Sequence, residues 1–160
     1  MMAGMSEMTR RDVLVGLAAM GTGVAVGQEA AGTQAAGPHA AAGDFAGGSK
    51  VFALAGVAAT KNANGSERKN VFDGTLATGE AMSMHESWSP VGATAPGHVI
   101  HHSELIVVIE GTIGFEHDGK VDTAGAGDVV YVAYGTNHSI KNAGTGTARY
   151  MVLQMGGDTK

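Results

Sequence analysis

Short apolar runs separated by turn-forming residues are the feature that most constrains how this chain folds. From Lys50 onward, alternating or wholly apolar stretches recur between Gly, Asn and Asp. This pattern is typical of an all-β sandwich or barrel, and no helical period competes with it. Ten strands are predicted, at 51–57, 68–72, 80–88, 97–100, 104–110, 112–117, 120–122, 129–133, 139–142 and 148–155.

Two local patterns refine this all-β prediction. The dipeptide Asp118-Gly119 predicts a tight hairpin turn, because both residues tolerate a positive φ. The run 105–109, Leu-Ile-Val-Val-Ile, is apolar at every position, which predicts a strand covered on both faces.

Composition excludes several classes of protein. A length of 160 residues favours one domain. A formal net charge of −5 with only ten Lys and Arg argues against a protein that follows a nucleic-acid backbone. The absence of cysteine excludes disulfides, thiol catalysis and cysteine-bound zinc or iron–sulfur sites, so the seven histidines are the remaining soft ligands.

The N-terminal segment has the features of an export signal. Arg10 and Arg11 precede an uncharged run at 13–28 that is too short and too rich in glycine to predict a membrane-spanning helix. The arginine pair followed by Val13 and Leu14 resembles the bacterial twin-arginine signal.

That resemblance divides the chain into three parts. We expect a signal peptide at 1–35, a flexible tether rich in Ala and Gly at 36–49, and a folded domain at 50–156. Cleavage is expected between about 27 and 37, and the mature protein is expected in the periplasm or outside the cell. An uncleaved amphipathic or disordered leader is the alternative.

Three histidines and a glutamate lie within seven residues. His98, His101, His102 and Glu104 include the imidazole and carboxylate groups that suit Zn, Fe, Mn, Ni or Cu. In one straight strand His98 and Glu104 would lie roughly 20 Å apart, at about 3.3 Å per residue. The chain must therefore turn at 100–103 if the two side chains are to share an ion.

These residues and a second motif resemble the cupin superfamily. The first cupin motif, His-x-His followed by Glu and Gly, begins at His98, continues with Glu104 and ends at Gly111. The second motif contains His138 and ends with Asn142, and it follows the family spacing except that Ala stands in place of the usual Pro. Its positions here are Gly127, Ala133, Gly135, His138 and Asn142.

The resemblance implies a fold and a metal site. The expected fold is a cupin-type double-stranded β-helix, a jelly-roll barrel. The second His of the first motif is Ile100, so another histidine must replace it. His102 is preferred because it lies two residues before Glu104 on the same strand face, with His101 as the alternative. One divalent transition-metal ion is expected, bound by His98, His102, Glu104 and His138.

Two functions remain open at this stage. One is a metal-dependent oxygenase, isomerase or decarboxylase acting on a small organic molecule. The other is a non-catalytic module, with or without metal, that binds or senses a small ligand, because a fold alone does not specify function.

Four further expectations concern the surface, the cavity and the partners. The resemblance implies a homodimer, formed through sheet edges or through an exchanged N-terminal strand, for which 51–57 is the candidate. His85 is expected on a sheet surface, with the cavity wall as the alternative, and His117 in solvent. The alternation of Tyr131 with Ala133 suggests that one aromatic ring faces the cavity.

Overall fold

The alternation of inward and outward side chains produces an almost wholly β structure in the computed structural model, which describes residues 42–157. A single 3-10 turn, Leu54–Gly56, is the helical element of this described part. The strands are β1 (Ala42–Gly43), β2 (Thr60–Lys61), β3 (Glu67–Thr75), β4 (Ala81–Ser89), β5 (His98–Val99), β6 (Ser103–Glu110), β7 (Thr112–His117), β8 (Lys120–Gly125), β9 (Val129–Val132), β10 (Asn137–Asn142) and β11 (Ala148–Met155).

The strands form two antiparallel sheets. The larger sheet has the order β1-β3-β4-β11-β6-β9, with β2 also paired to β3. The smaller has the order β5-β10-β7-β8. Neighbours in both sheets include strands far apart in sequence, as expected of a double-stranded β-helix. The all-β jelly-roll prediction is therefore confirmed.

The core lies between the inner faces of the two sheets. Ile106 and Val108 of β6 are 1% exposed, and Ile113 of β7 is fully buried. Each such side chain contributes roughly 1.5–3 kcal/mol relative to an exposed position. The outward residues Val107 and Ile109 remain 40% exposed. The expectation that β6 is covered on both faces is thus wrong, because no layer of the described chain covers its outer face.

Turn chemistry follows the sequence prediction at the β7–β8 hairpin. Asp118 and Gly119 have φ values of 49° and 74°, the left-handed conformation that this dipeptide favours. Gly111, between β6 and β7, also has a positive φ, and a Cβ there would lie 2.8 Å from the carbonyl oxygen of Thr147. Glycine is required at this position by both conformation and space.

The segment 51–57 is not the predicted strand. Its centre forms the 3-10 turn Leu54–Gly56, in which the Val57 amide donates to the Leu54 carbonyl. Val51 is 90% exposed. The segment has no alternating buried face, so it forms a turn instead of pairing with a sheet.

Part of the segment predicted as a tether contacts the sheet. β1 pairs with β3, and the Asp44 carboxylate accepts a hydrogen bond from the Asp73 amide at 2.9 Å. The ring of Phe45 lies 5.1 Å from that of Phe72. The folded part of the structure therefore begins before residue 50, because an aromatic cluster anchors these residues.

The predicted signal at 1–35 lies outside the described residues, as do 36–41 of the predicted tether. Within 42–157, no helix has the length and apolar character needed to cross a membrane.

Candidate functional site

Three of the four predicted site residues lie on strands, and His102 lies directly before β6. Glu104 lies near the start of β6, His138 on β10 and His98 on β5. His98 and His138 are paired directly across β5 and β10. The chain turns between His98 and Glu104, as the spacing of the cluster requires.

A cavity of about 520 Å³ lies in front of these side chains. This volume is within the range of small-molecule sites. Its polar wall includes His98, Glu104 and His138, whereas its apolar wall comes from β6, β10 and β11. The apolar lining residues are Ile106, Ile140, Tyr150 and Val152.

Glu104 is the buried anion of the site, with 3% of its surface exposed. Its Oε1 accepts hydrogen bonds from Gln154 Nε2 at 2.9 Å and from His102 Nε2 at 2.8 Å. Burial raises the pKa of the Glu104 carboxyl, but these hydrogen bonds and the nearby His138 outweigh burial and hold the pKa below its ordinary value. Glu104 is therefore ionised at neutral pH.

His138 faces the other oxygen of the same carboxylate. Its Nε2 lies 3.6 Å from Glu104 Oε2, and its ring centroid lies 5.0 Å from that of His98. Burial lowers the pKa of His138, although the Glu104 charge opposes this effect. A neutral imidazole is the form that binds a metal or accepts a proton.

His98 is more exposed than the other predicted ligands. Its Nδ1 lies 3.3 Å from the carbonyl oxygen of Pro96. This contact orients the ring at the mouth of the cavity, which His98 lines.

The remaining residues of the cluster lie in different environments. His102 is buried and contacts Glu104, but it does not line the cavity. His101 is exposed and its ring meets that of Tyr134 at 5.9 Å. Ile100 is 1% exposed and belongs to the apolar core. The structure therefore brings His102, rather than His101, to the carboxylate.

The sequence gives no indication of one cavity residue, Arg68, and favours the wrong position for another, His85. The sequence favours a sheet surface for His85, but His85 is 8% exposed and takes the alternative position, in the cavity wall on β4. Arg68, on β3, also lines the cavity. The alternation of Ser83, His85, Ser87 and Ser89 along β4 was the available signal, since residues two apart share one face.

Two other expectations about side chains need correction. Tyr131 and Tyr134 are 60% and 65% exposed, so neither ring faces the cavity. His117 is not simply solvated: its Nε2 lies 2.8 Å from Asp122 and its Nδ1 lies 3.0 Å from Asp118. Its ring stacks on Phe115 with centroids 4.2 Å apart.

The arrangement of donor groups bears on metal binding. Among residues 42–157, no three His, Asp or Glu side chains are grouped closely enough to hold a metal ion. The donor types around the cavity, imidazoles and one ionised carboxylate, nevertheless match the preferences of divalent transition metals. The site therefore fits such an ion by its chemistry, while the Glu104 carboxylate is hydrogen-bonded to His102 and Gln154 in this structure.

Comparison with known proteins agrees with this architecture. Residues 87–154 match the family model described as Cupin domain. No curated protein sequence matches the chain. The family match spans less than half of the chain, and the fold of the described residues is an all-β domain with the double-stranded β-helix seen in solved cupin structures.

Solved cupin structures resemble the chain over about two thirds of its length. An RmlC-like cupin from Shewanella frigidimarina has 19% identity and a TM-score of 0.57, with 69% of this chain and 95% of that chain covered. The polyketide cyclase RemF from Streptomyces resistomycificus has 17% identity and a TM-score of 0.54, with 67% and 79% covered. A predicted oxalate decarboxylase from Thermotoga maritima has 18% identity and a TM-score of 0.50, with 67% and 99% covered.

Proposed function

We propose that this chain is an exported small cupin whose cavity binds one divalent transition-metal ion and a small organic molecule. The observation that carries the proposal is that His98, Glu104 and His138 line one cavity of about 520 Å³. When bound, such an ion supplies a Lewis acid or an oxygen-binding centre. The ion could be Fe, Mn, Ni, Zn or Cu, since imidazole and carboxylate ligands suit each of them.

The three cavity residues are the proposed ligands. His102, the fourth residue predicted from the sequence, is proposed instead to hold the Glu104 carboxylate through its 2.8 Å hydrogen bond. This change of role rests on its absence from the cavity wall. Groups that orient a metal-binding carboxylate commonly affect metal affinity by 10-fold to 100-fold.

Catalysis is the further step of the proposal. Proteins with this fold include a polyketide cyclase and a predicted oxalate decarboxylase. The enclosed position of Glu104 and the neighbouring imidazoles suit a metal-dependent oxygenase, isomerase or decarboxylase that acts on a small molecule. Residues lining the cavity would bind and orient that molecule and exclude water from it.

A metal-free binding or sensing module is the second candidate. It is favoured by the hydrogen bonds that His102 and Gln154 make to Glu104 Oε1, which stabilise the buried carboxylate without a metal ion. In this case the cavity holds a small ligand and no reaction follows.

Elemental analysis of the protein purified without a histidine tag separates the two candidates. We expect close to one transition-metal ion per chain in the wild type. Glu104→Gln and His138→Ala should each remove most of it, because each deletes one of the few ligands. His101→Ala is the matched control, since His101 is exposed and packs against Tyr134. It should retain the wild-type metal content.

Absence of metal after reconstitution with Fe, Mn, Ni, Zn and Cu would exclude the metal-dependent function. The metal-free module would then be the better description. Equal metal content in the wild type, Glu104→Gln and His138→Ala would place any bound ion elsewhere.

Export is proposed from the twin-arginine-like pair alone. Replacing Arg10 and Arg11 together by lysine should leave the precursor in the cytoplasm, because the export pathway recognises the arginine pair. Cell fractionation measures this, with an unrelated exported protein as the control. Unchanged export of the double variant would contradict the proposed signal.

A homodimer is also proposed. The outer face of β6 and β9 exposes Val107, Ile109, Val129 and Tyr131, and exposed apolar patches of this kind often mark interfaces. Light scattering on the folded protein measures the mass in solution. A monomer mass at micromolar concentration would contradict the dimer.

A further inference from the structure

Arg68 brings a positive charge into the wall of the cavity. It lies on β3 opposite Ser87 of β4, and it shares the cavity with Glu104 and His138. Its Nε donates a hydrogen bond to Asn70 Oδ1 at 2.8 Å, which orients the guanidinium plane. Within residues 42–157, its two terminal nitrogens have no hydrogen-bond or ion-pair partner. The end of the guanidinium is therefore available to a ligand.

The electrostatic surroundings favour an anion at this position. Burial lowers the pKa of Arg68 and the Glu104 carboxylate raises it, yet a guanidinium stays protonated in proteins. Burial and Arg68 together lower the pKa of His85 to about 4, so His85 is neutral at neutral pH. Glu104 already accepts hydrogen bonds from His102 and Gln154. Arg68 is thus a partly desolvated cation without a direct counter-ion. Removing its charge from water costs free energy, and an anionic ligand bound to it would offset this cost.

We infer that the cavity takes a small organic acid whose carboxylate binds the terminal nitrogens of Arg68. This inference rests on the proposed small-molecule function of the cavity and names its ligand class. Guanidinium and carboxylate groups match each other in a two-pronged geometry, which gives both affinity and orientation. The carbon skeleton would pack against Ile106, Ile140 and Val152 on the apolar wall.

The position of Arg68 also sets the direction of the ligand. Arg68 is on β3, whereas the proposed metal ligands are on β5, β6 and β10, so the ligand would lie between the two groups. Its carboxylate would face Arg68 and its other end would face His98 and His138. Asn70 is the positioning residue of this subsite, because it touches the Arg68 Nε rather than the ligand.

Titration with three matched pairs of compounds tests the ligand class. Acetate, benzoate and succinate are compared with acetamide, benzamide and succinamide on the full chain, by calorimetry and by shifts of the protein's NMR signals. We expect at least one carboxylate to bind about tenfold or more tightly than its amide, since a hydrogen bond to a charged group is worth about 1.5–3 kcal/mol. Absence of a carboxylate preference in all three pairs would overturn the inference.

A charge-matched pair of variants assigns the preference to Arg68. Arg68→Gln should abolish it. Lys69→Gln removes the same charge from the neighbouring position on β3, where the Lys69 ammonium lies 5.2 Å from the Trp88 ring. It should retain the preference. Equal loss in both variants, or retention in Arg68→Gln, would overturn the inference. If Arg68→Gln does not fold, Arg68→Lys replaces it in the experiment. Lysine keeps the positive charge but lacks the planar guanidinium, so this variant should bind the carboxylate several-fold more weakly than the wild type.

Repeating the titrations after chelator treatment keeps this inference distinct from the metal proposal. Carboxylate preference that persists in treated protein and depends on Arg68 supports the subsite, whatever the metal content. A protein that contains metal but shows no Arg68-dependent preference retains its proposed function and loses this ligand class.

Discussion

His102 Nε2 lies 2.8 Å from Glu104 Oε1, and both side chains are buried. The two residues are separated by one position, so they share a face where β6 begins. Gln154 donates to the same oxygen, so Oε1 already accepts two hydrogen bonds. The other oxygen, Oε2, is the one nearest to His138. His102 and Gln154 thus determine which side of the carboxylate is presented to the other imidazoles.

His102→Gln should retain most of the metal content, whereas His102→Ala should lower it several-fold. The glutamine amide can still donate a hydrogen bond to Glu104, but alanine leaves that oxygen short of a donor. Elemental analysis of both variants measures the difference. If His102→Gln loses metal as completely as Glu104→Gln, His102 is a ligand, as predicted from the sequence.

Asn142→Ala should lower the free energy of unfolding by about 2–4 kcal/mol. Asn142 is 2% exposed, and its amide group donates to the carbonyl oxygens of Ser89 and Gly146, at 2.7 and 2.8 Å. The substitution leaves both carbonyls without this donor. Urea unfolding measures the change, with the exposed Asn137→Ala as the control, expected within about 0.5 kcal/mol of the wild type. Equal stability of the two variants would show that this role of Asn142 is wrong.

Arg149→Met should lower the free energy of unfolding by about 2–3 kcal/mol because it leaves the Glu86 carboxylate buried and unpaired. Glu86 is 1% exposed, and the Arg149 Nε donates to its Oε1. The Arg149 side chain is 38% exposed, so the effect should fall below that of a fully buried pair.

Adding Glu86→Gln to Arg149→Met should restore part of the lost stability, because the buried charge is removed as well. A double-mutant cycle by urea unfolding measures the coupling between the two residues. Additive effects of the two substitutions would contradict a direct ion pair.

His117 should titrate above the ordinary histidine value near 6.5, because Asp122 first and Asp118 second raise its pKa. His117 in turn lowers the pKa of Asp122 from its ordinary value of 3.8. A raised histidine pKa stabilises the fold below the unfolded value, and this contribution is lost as pH rises through the folded value.

The stabilising effect of Asp122 should therefore be largest between about pH 4 and 6.5 and should decline above the pKa of His117. NMR titration of His117 in the wild type and in Asp122→Asn measures the shift, and thermal unfolding against pH measures the stability. Asp118→Asn should lower the pKa of His117 by less than Asp122→Asn does. The same His117 pKa in Asp122→Asn as in the wild type would contradict the pairing of His117 with Asp122.

Ile100→His should lower the free energy of unfolding by about 1–3 kcal/mol in the presence of a chelator, since it places an imidazole in the apolar core. Added Zn²⁺ should restore stability, because the resemblance to the first cupin motif implies a histidine at position 100. Thermal unfolding with and without Zn²⁺ measures both effects, and Ile100→Asn serves as a polar control without recovery. Absence of recovery would show that the side chain at position 100 does not face the proposed metal ligands.

Local pattern was sufficient for many of the strands. β7 and β11 have the predicted bounds, because alternation of side chains and turn residues such as Asp118-Gly119 depend only on neighbouring residues. The segment 51–57 shows the limit of this reasoning. Its apolar composition is compatible with a strand, but it lacks a partner strand and forms a turn.

The sequence by itself determined the all-β class, the strands from β3 to β11 in their order along the chain, and the two histidine-containing motifs with Glu104 and His138. The tertiary structure alone decided which side chains share the cavity. His85 and Arg68 enter it because β3, β4 and β11 pair in one particular register, and His102 faces Glu104 instead of the cavity. The physical reason is that strand period is a local property, whereas register and burial depend on contacts between residues far apart in the chain.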